Sequence, residues 1–146
     1  IERAGGQAVC VGPQPIANAC RGWDRPQVME WLAAGVVVVF GGGTGHPFFT
    51  TDTAAALRAA EIGASELLKG SNVDGIYTAD PRKDPTAQRI ERLTFDQAVE
   101  GRYGVMDAAA FALCRERRVP IRVFDMNPPG AITAALGPNP PGTVVG

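Results

Sequence analysis

The stretch Val36 to Asp52, VVVVFGGGTGHPFFTTD, decides the reading of the fold. Four valines and a phenylalanine run without polar alternation, the pattern of a strand buried on both faces, as in a parallel sheet. Gly41-Gly42-Gly43-Thr44-Gly45 follows, and an alanine-rich helix is predicted from Thr51 to Ile62. Successive glycines let backbone N–H groups turn inward, and a helix N-terminus adds partial positive charge, so strand, glycine loop and helix together suit an anion. Thr44, Thr50 and Thr51 add hydroxyl donors for a phosphate or a polar base edge. The alternative is a plain tight turn with Thr51 or Asp52 as the helix cap. His46 stands where a dinucleotide fingerprint needs its third glycine, and no Gly-Lys-Ser/Thr follows to make a P-loop. Phe48 and Phe49 either pack beneath a ligand or staple the helix entry, and core packing is expected of them. His46, the only histidine, is not expected to act as a base: should the anion held here itself be the reacting group, its oxygen is already ionised.

Outward from this stretch, strands and helices alternate. Ala8 to Val11 reads as a short strand closed by Gly12-Pro13, and Ile1 to Gly6 as the end of a helix running into a turn. Asp24 caps a helix from Arg25 to Ala34, which Gly35 ends. Glu66 to Lys69 is the next strand, followed by the turn-rich residues Asn72 to Pro85. Thr94 caps a helix to Glu100 and forms a capping box with Gln97. Asp107 to Arg118 is amphipathic, with Met106, Ala110, Leu113 and Cys114 at helical spacing. Ile121 to Phe124 and Thr143 to Val145 are strands, with one or two helical turns between them at Gly130 to Leu136. This order predicts an α/β fold: a layered three-layer α/β/α arrangement with a mainly parallel sheet, whose ligands sit at the carboxyl ends of the strands. No linker divides the chain, so residues 1–146 are expected to form part of one domain.

Composition bounds the function. The chain has 146 residues, 45% hydrophobic and 20% charged, with 14 basic and 15 acidic side chains. That balance argues against a nucleic-acid binder, which needs a strongly positive face. Arg115, Arg117 and Arg118 cluster where cations complement a helix C-terminus. The longest apolar run, Ala33 to Phe40, is far too short to span a membrane. Cys10, Cys20 and Cys114 lack metal-ligand spacing and cannot all pair, so reduced, partly buried thiols in a cytosolic protein are expected.

Two further segments can carry chemistry. Lys69 to Pro81, KGSNVDGIYTADP, is a strand end and a turn-rich loop. Such a loop can hold a purine through Tyr77, with Asp80 accepting from a ribose or base, or it is an Asx-turn loop with a half-buried tyrosine. Lys69 meets a phosphate or extends into solvent. In Val105-Met106-Asp107, the aspartate is either a helix cap or an acid that orders a lysine or a magnesium ion.

Taken in order, the blocks Thr44 to Asp52, Val73 to Pro81, Val105 to Asp107 and Pro120 to Asn127, with Pro129-Gly130, resemble the bacterial UMP kinases of the amino-acid-kinase family. His46 and Ser71 stand where that family usually has Asn and Thr. The resemblance implies transfer of the γ-phosphoryl group of ATP to UMP, giving UDP, with Mg2+, in the cytoplasm. It implies that Thr44, Gly45, His46, Pro47, Phe48, Phe49, Thr50 and Thr51 wrap UMP. Ser71, Asn72, Tyr77 and Asp80 would contact ATP, and Asp52, Asp107 and Lys69 would act on the reacting groups. No protein cage for a metal is expected. The family also implies a homo-oligomer, a hexamer, with GTP and UTP as effectors. Its first half, with a lysine-bearing strand and a second glycine-rich loop, has no counterpart in Ile1 to Val11. The chain is therefore expected to be a C-terminal part, inactive alone, with an exposed sheet edge and apolar patches. The competing readings are a kinase of aspartate, glutamate or carbamate, and a non-catalytic nucleotide- or oxyanion-binding module.

Overall fold

A computed structural model describes residues 1–104 and 106–146. Contacts gather the chain into two compact units, Ile1–Gly63 and Ala64–Gly146. The boundary falls at the left-handed glycine that ends a helix, with no change of composition to announce it.

In the first unit, a 3-10 turn (Glu2–Ala4) ends at Gly5, and strand β1 (Ala8–Gly12) follows. The two-residue strand β2 (Arg21–Gly22) lies parallel to β1 on one side. On the other side is β3 (Val37–Phe40), also parallel, with Cys10 opposite Val39 and Val11 opposite Phe40. Helix α1 (Arg25–Ala33) starts where Asp24 accepts a hydrogen bond from the Gln27 N–H. Helix α2 (Thr51–Ile62) runs to Gly63, whose positive φ of 66° supplies the left-handed cap. Val11, Val28 and Ala56 are the innermost apolar side chains. Arg58 is buried as well, its guanidinium 4.1 Å from the centre of the Trp23 ring and 2.5 Å from the Glu61 carboxylate. Stacking and pairing together offset the desolvation of that charge.

In the second unit, β4 (Leu67–Ser71) pairs in parallel with β8 (Ile121–Asp125). The antiparallel β9 (Thr143–Val145) follows, and then β7 (Arg92–Leu93), parallel to β9. A hairpin of β5 (Ile76–Tyr77) and β6 (Arg89–Ile90) joins through Thr143. That fully buried hydroxyl accepts from the Ile76 N–H at 2.8 Å and donates to the Ile90 carbonyl at 2.5 Å, so no polar group is stranded there. Helices α3 (Phe95–Glu100), α4 (Ala108–Arg117) and α5 (Ala131–Ala135) complete the unit. Phe95 and Phe111 meet edge to face with ring centres 6.4 Å apart. Ile121, Val123, Val145 and Cys114 are fully buried, and each such aliphatic side chain contributes about 1.5–3 kcal/mol.

The α/β class and the mainly parallel pairing are as expected: four of the six strand pairings among the described residues are parallel. Several local expectations change. β3 is not buried on both faces. It is an edge strand, and Val37 and Val39 are each 46% exposed while Val38 and Phe40 turn inward. An unbroken apolar run does not reveal whether a second layer covers it. The strand expected at Glu66 to Lys69 begins and ends later, at Leu67–Ser71, because its register is fixed by pairing with β8. The two-residue strands β2, β5, β6 and β7 are too short for periodicity to show.

Candidate functional site

In the first unit, the turn after β3 is built by backbone conformation. Gly42, Gly43 and Gly45 have φ of 78°, 65° and 77°, in the region open to glycine. The Gly41 N–H donates to the Val11 carbonyl at 2.9 Å, which ties the start of the loop to β1. A Cβ at Gly45 would come within 2.7 Å of the Pro13 ring, so the loop lies against that proline too closely for a side chain. Thr44 accepts from the His46 N–H at 3.1 Å. The helix cap is neither Thr51 nor Asp52. It is Thr50, whose hydroxyl accepts from the N–H groups of Asp52 at 3.2 Å and Thr53 at 3.3 Å. Thr50 alone has the extended backbone a cap requires, whereas Thr51 and Asp52 already lie within the first turn.

The expected core packing of Phe48 and Phe49 is not found. Phe48 is fully exposed and Phe49 is 55% exposed. Phe48 also has a φ of 70°, an uncommon conformation for an aromatic residue. His46 and Pro47 are exposed too, so residues 45–50 form a projecting loop.

In the second unit, the parallel register sets Lys69 opposite Val123 and Ser71 opposite Asp125, at the carboxyl ends of β4 and β8. Ligands of α/β sheets bind at those ends. Ser71, Tyr77 and Asp80 line one open pocket of about 440 Å³, within the range of small-molecule sites. Its far wall is Gly101 to Gly104, and Arg102 and Tyr103 there were not singled out in the sequence. No motif marks them; only the turn after α3 brings them to the loop. Asn72 does not line this pocket. Its Oδ1 accepts from Asn127 Nδ2 at 3.5 Å, and Asn127 is held by Asp125 through two hydrogen bonds of 2.7 and 2.9 Å.

The electrostatics of the loop are local. Tyr77 donates to Asp74 at 2.7 Å, and that bond raises the phenol above its ordinary pKa, with desolvation and the Asp74 charge adding to it. Arg89 pairs with Asp74 at 3.2 Å. The Arg82 N–H, donating at 3.0 Å, holds the Asp80 carboxyl below its ordinary value; the Arg82 and Lys83 side chains add to this against a smaller desolvation effect. Asp80 therefore stays an acceptor at neutral pH. Asp107 caps α4, accepting from the Ala110 N–H at 2.8 Å. Val105, in the same block, lies outside the described residues. Among the described residues no three His, Cys, Asp or Glu side chains gather to hold a metal ion, and no helix is long and apolar enough to cross a membrane. The expected site residues thus fall into two groups, Thr44 to Asp52 in one unit and Lys69 to Asp80 with Asp107 in the other.

The sequence profile described as the Amino acid kinase family matches residues 4–125. The chain belongs to the amino acid kinase family. Within that family it is 53% identical to the uridylate kinase of Bradyrhizobium sp. (strain ORS 278), over 99% of this chain and 61% of the relative. The uridylate kinase of Rhodopseudomonas palustris (strain BisA53) is 52% identical over the same shares. Among solved structures, UMP kinase from Ureaplasma parvum superimposes with a TM-score of 0.92 at 34% identity, covering 99% of this chain and 62% of that one. UMP kinase from Bacillus anthracis does so with a TM-score of 0.91 at 30% identity, covering 99% and 59%. The chain thus spans about three fifths of the length of these family members.

Proposed function

We propose that the protein transfers the γ-phosphoryl group of ATP to UMP, and that this chain supplies the UMP loop and the ATP-binding side, as part of a single amino-acid-kinase domain. The observation that carries this reading is the likeness to uridylate kinases along 99% of the chain at 53% identity. The geometry agrees with it. Thr44 to Thr51 form a projecting, glycine-bent loop at a helix N-terminus, suited to a nucleoside monophosphate. Ser71, Tyr77 and Asp80 share a pocket of a size for part of a nucleotide, with an ionised carboxylate to accept from ribose or base. Asn72, which does not line that pocket, is assigned to ATP on family resemblance alone.

Catalysis in this reading is positional and electrostatic. UMP brings its own ionised oxygen, so no general base is needed and His46 serves binding. Lys69 carries positive charge for the moving phosphoryl group, and Asp52 and Asp107 orient the reacting groups. Magnesium takes one or two carboxylates and completes its shell with phosphate oxygens and water. Asp107 is the proposed carboxylate, and the ion would neutralise phosphate charge. The same reading makes the protein a cytoplasmic homo-oligomer, hexameric and responsive to GTP and UTP, on family resemblance.

The test is an assay of the product of the complete reading frame for ADP release from ATP, with UMP, CMP, aspartate, glutamate and carbamate as acceptors. Strong preference for UMP is expected; turnover of an amino acid, or binding without turnover, would refute the reading. Asp107→Asn keeps a capping side chain, so it should fold. It should lower kcat by about 10²-fold or more while the UMP KM stays near normal. Unchanged turnover would remove Asp107 from its role.

A further inference from the structure

Two of the three cysteines lie side by side, although the proposed phosphoryl transfer uses neither. Cys10 is in β1 and Cys20 immediately precedes β2. The two strands run parallel, with Val11 opposite Arg21 and Gly12 opposite Gly22, so one step back along both places Cys10 beside Cys20. Adjacent strands are about 4.8 Å apart, within the roughly 4.4–6.8 Å that separates the Cα atoms of bonded cysteines. The sulfurs themselves are 2.9 Å apart, and both cysteines are free thiols. Both are half-buried and line an open pocket of about 900 Å³, so a small reagent can reach them. Cys114 is fully buried.

The pair also lies beneath the glycine loop. A Cβ on Gly41 would touch the Cys10 sulfur at 3.7 Å, and one on Gly12 would come 3.2 Å from the Cys20 sulfur. Pro13, between the two cysteines in sequence, is the residue against which Gly42 and Gly45 pack.

We propose that Cys10 and Cys20 are a reversible disulfide site, oxidised by a small-molecule disulfide such as glutathione disulfide, and that the bond restrains the loop at 41–45 through Pro13. One cysteine thiolate attacks glutathione disulfide, breaks its S–S bond and expels one glutathione, leaving a mixed disulfide. The second cysteine then attacks the chain's own sulfur, forms the Cys10–Cys20 bond and expels the second glutathione. Two thiols are oxidised, one glutathione disulfide is reduced to two glutathiones, and the two thiol protons end on them. The inference rests on the placement of the thiols and stands whichever acceptor the loop binds.

The experiment treats the reduced 146-residue chain with glutathione disulfide, alkylates the remaining thiols and maps tryptic peptides. Arg3 and Arg21 bracket both cysteines, so peptide 4–21 should appear unalkylated and lighter by two hydrogens. Peptide 103–115, with Cys114, should be alkylated, and excess reduced glutathione should restore both thiols. In denaturant the preference should vanish and Cys114 should react as well. Recovery of Cys10 and Cys20 as two separate glutathione adducts, the same product distribution in native and denatured chain, or a native mass showing a metal ion held by the pair would overturn the proposal. Amide hydrogen exchange of the oxidised against the reduced chain tests the second half: slower exchange at 41–45 is expected, and unchanged rates there would sink the coupling to the loop.

Discussion

Cys114 shows how one residue can tie stability to pH. Burial pushes its thiol up to about 11 from the ordinary 9.0. The folded chain therefore holds the thiol proton more tightly than the unfolded chain does. The associated stability is fully present below about pH 8 and is lost as pH rises through 9 and towards 11, on the order of 2 kcal/mol in all. Denaturant midpoints measured across that range should fall, and Cys114→Ala should flatten the fall. At Gly142, φ is 106° and a Cβ would lie 2.0 Å from the Val123 carbonyl oxygen. Gly142→Ala should destabilise by at least about 2 kcal/mol, read from the same midpoints. Phe48 provides the contrast. Its ring is fully exposed, so Phe48→Ala should leave stability within about 0.5 kcal/mol. If the proposed UMP loop is correct, the same change raises the UMP KM of the complete protein.

At the scale of elements, the helix starts were legible because their signals are local. Asp24 and the Thr94–Gln97 capping box do what their sequence spacing indicates. Thr94→Ala should cost about 1 kcal/mol, seen as a lower thermal midpoint, since the Gln97 N–H loses its acceptor, the Thr94 hydroxyl. The bounds of α2 match the expected Thr51 to Ile62, and only its cap differs from the tight-turn reading of Thr51 or Asp52. Three consecutive residues, Thr50, Thr51 and Asp52, can all cap, and only the backbone path into the helix selects Thr50. Short strands were missed for another reason. The hairpin of β5 and β6 hangs on the Thr143 hydroxyl, 67 residues from Ile76, and no nearby residue foretells that bond.

At the scale of the molecule, the exposed valines of β3 have a consequence. An edge strand with apolar side chains and an open backbone edge invites pairing with another chain. The chain should therefore associate in a concentration-dependent way. Val39→Lys should shift it toward monomer in light scattering, whereas a substitution at buried Val28 should unfold it rather than disperse it. The grouping of the candidate site was legible in part. Ser71, Tyr77 and Asp80 come from one sequence block and do share a pocket, while Arg102 and Tyr103 complete its wall with no motif to mark them.

By itself the sequence determined the order of strands and helices, the caps, the glycine turns and the membership of a kinase family, because each rests on interactions between residues close along the chain or on ordered blocks of residues. The tertiary structure alone decided which valines of β3 stay in water, that Phe48 projects, that Thr143 joins β9 to the hairpin and that Cys10 meets Cys20. Each of those outcomes depends on what an adjacent strand or a distant loop places against the residue, and solvent exposure and pairing are properties of that neighbour as much as of the side chain.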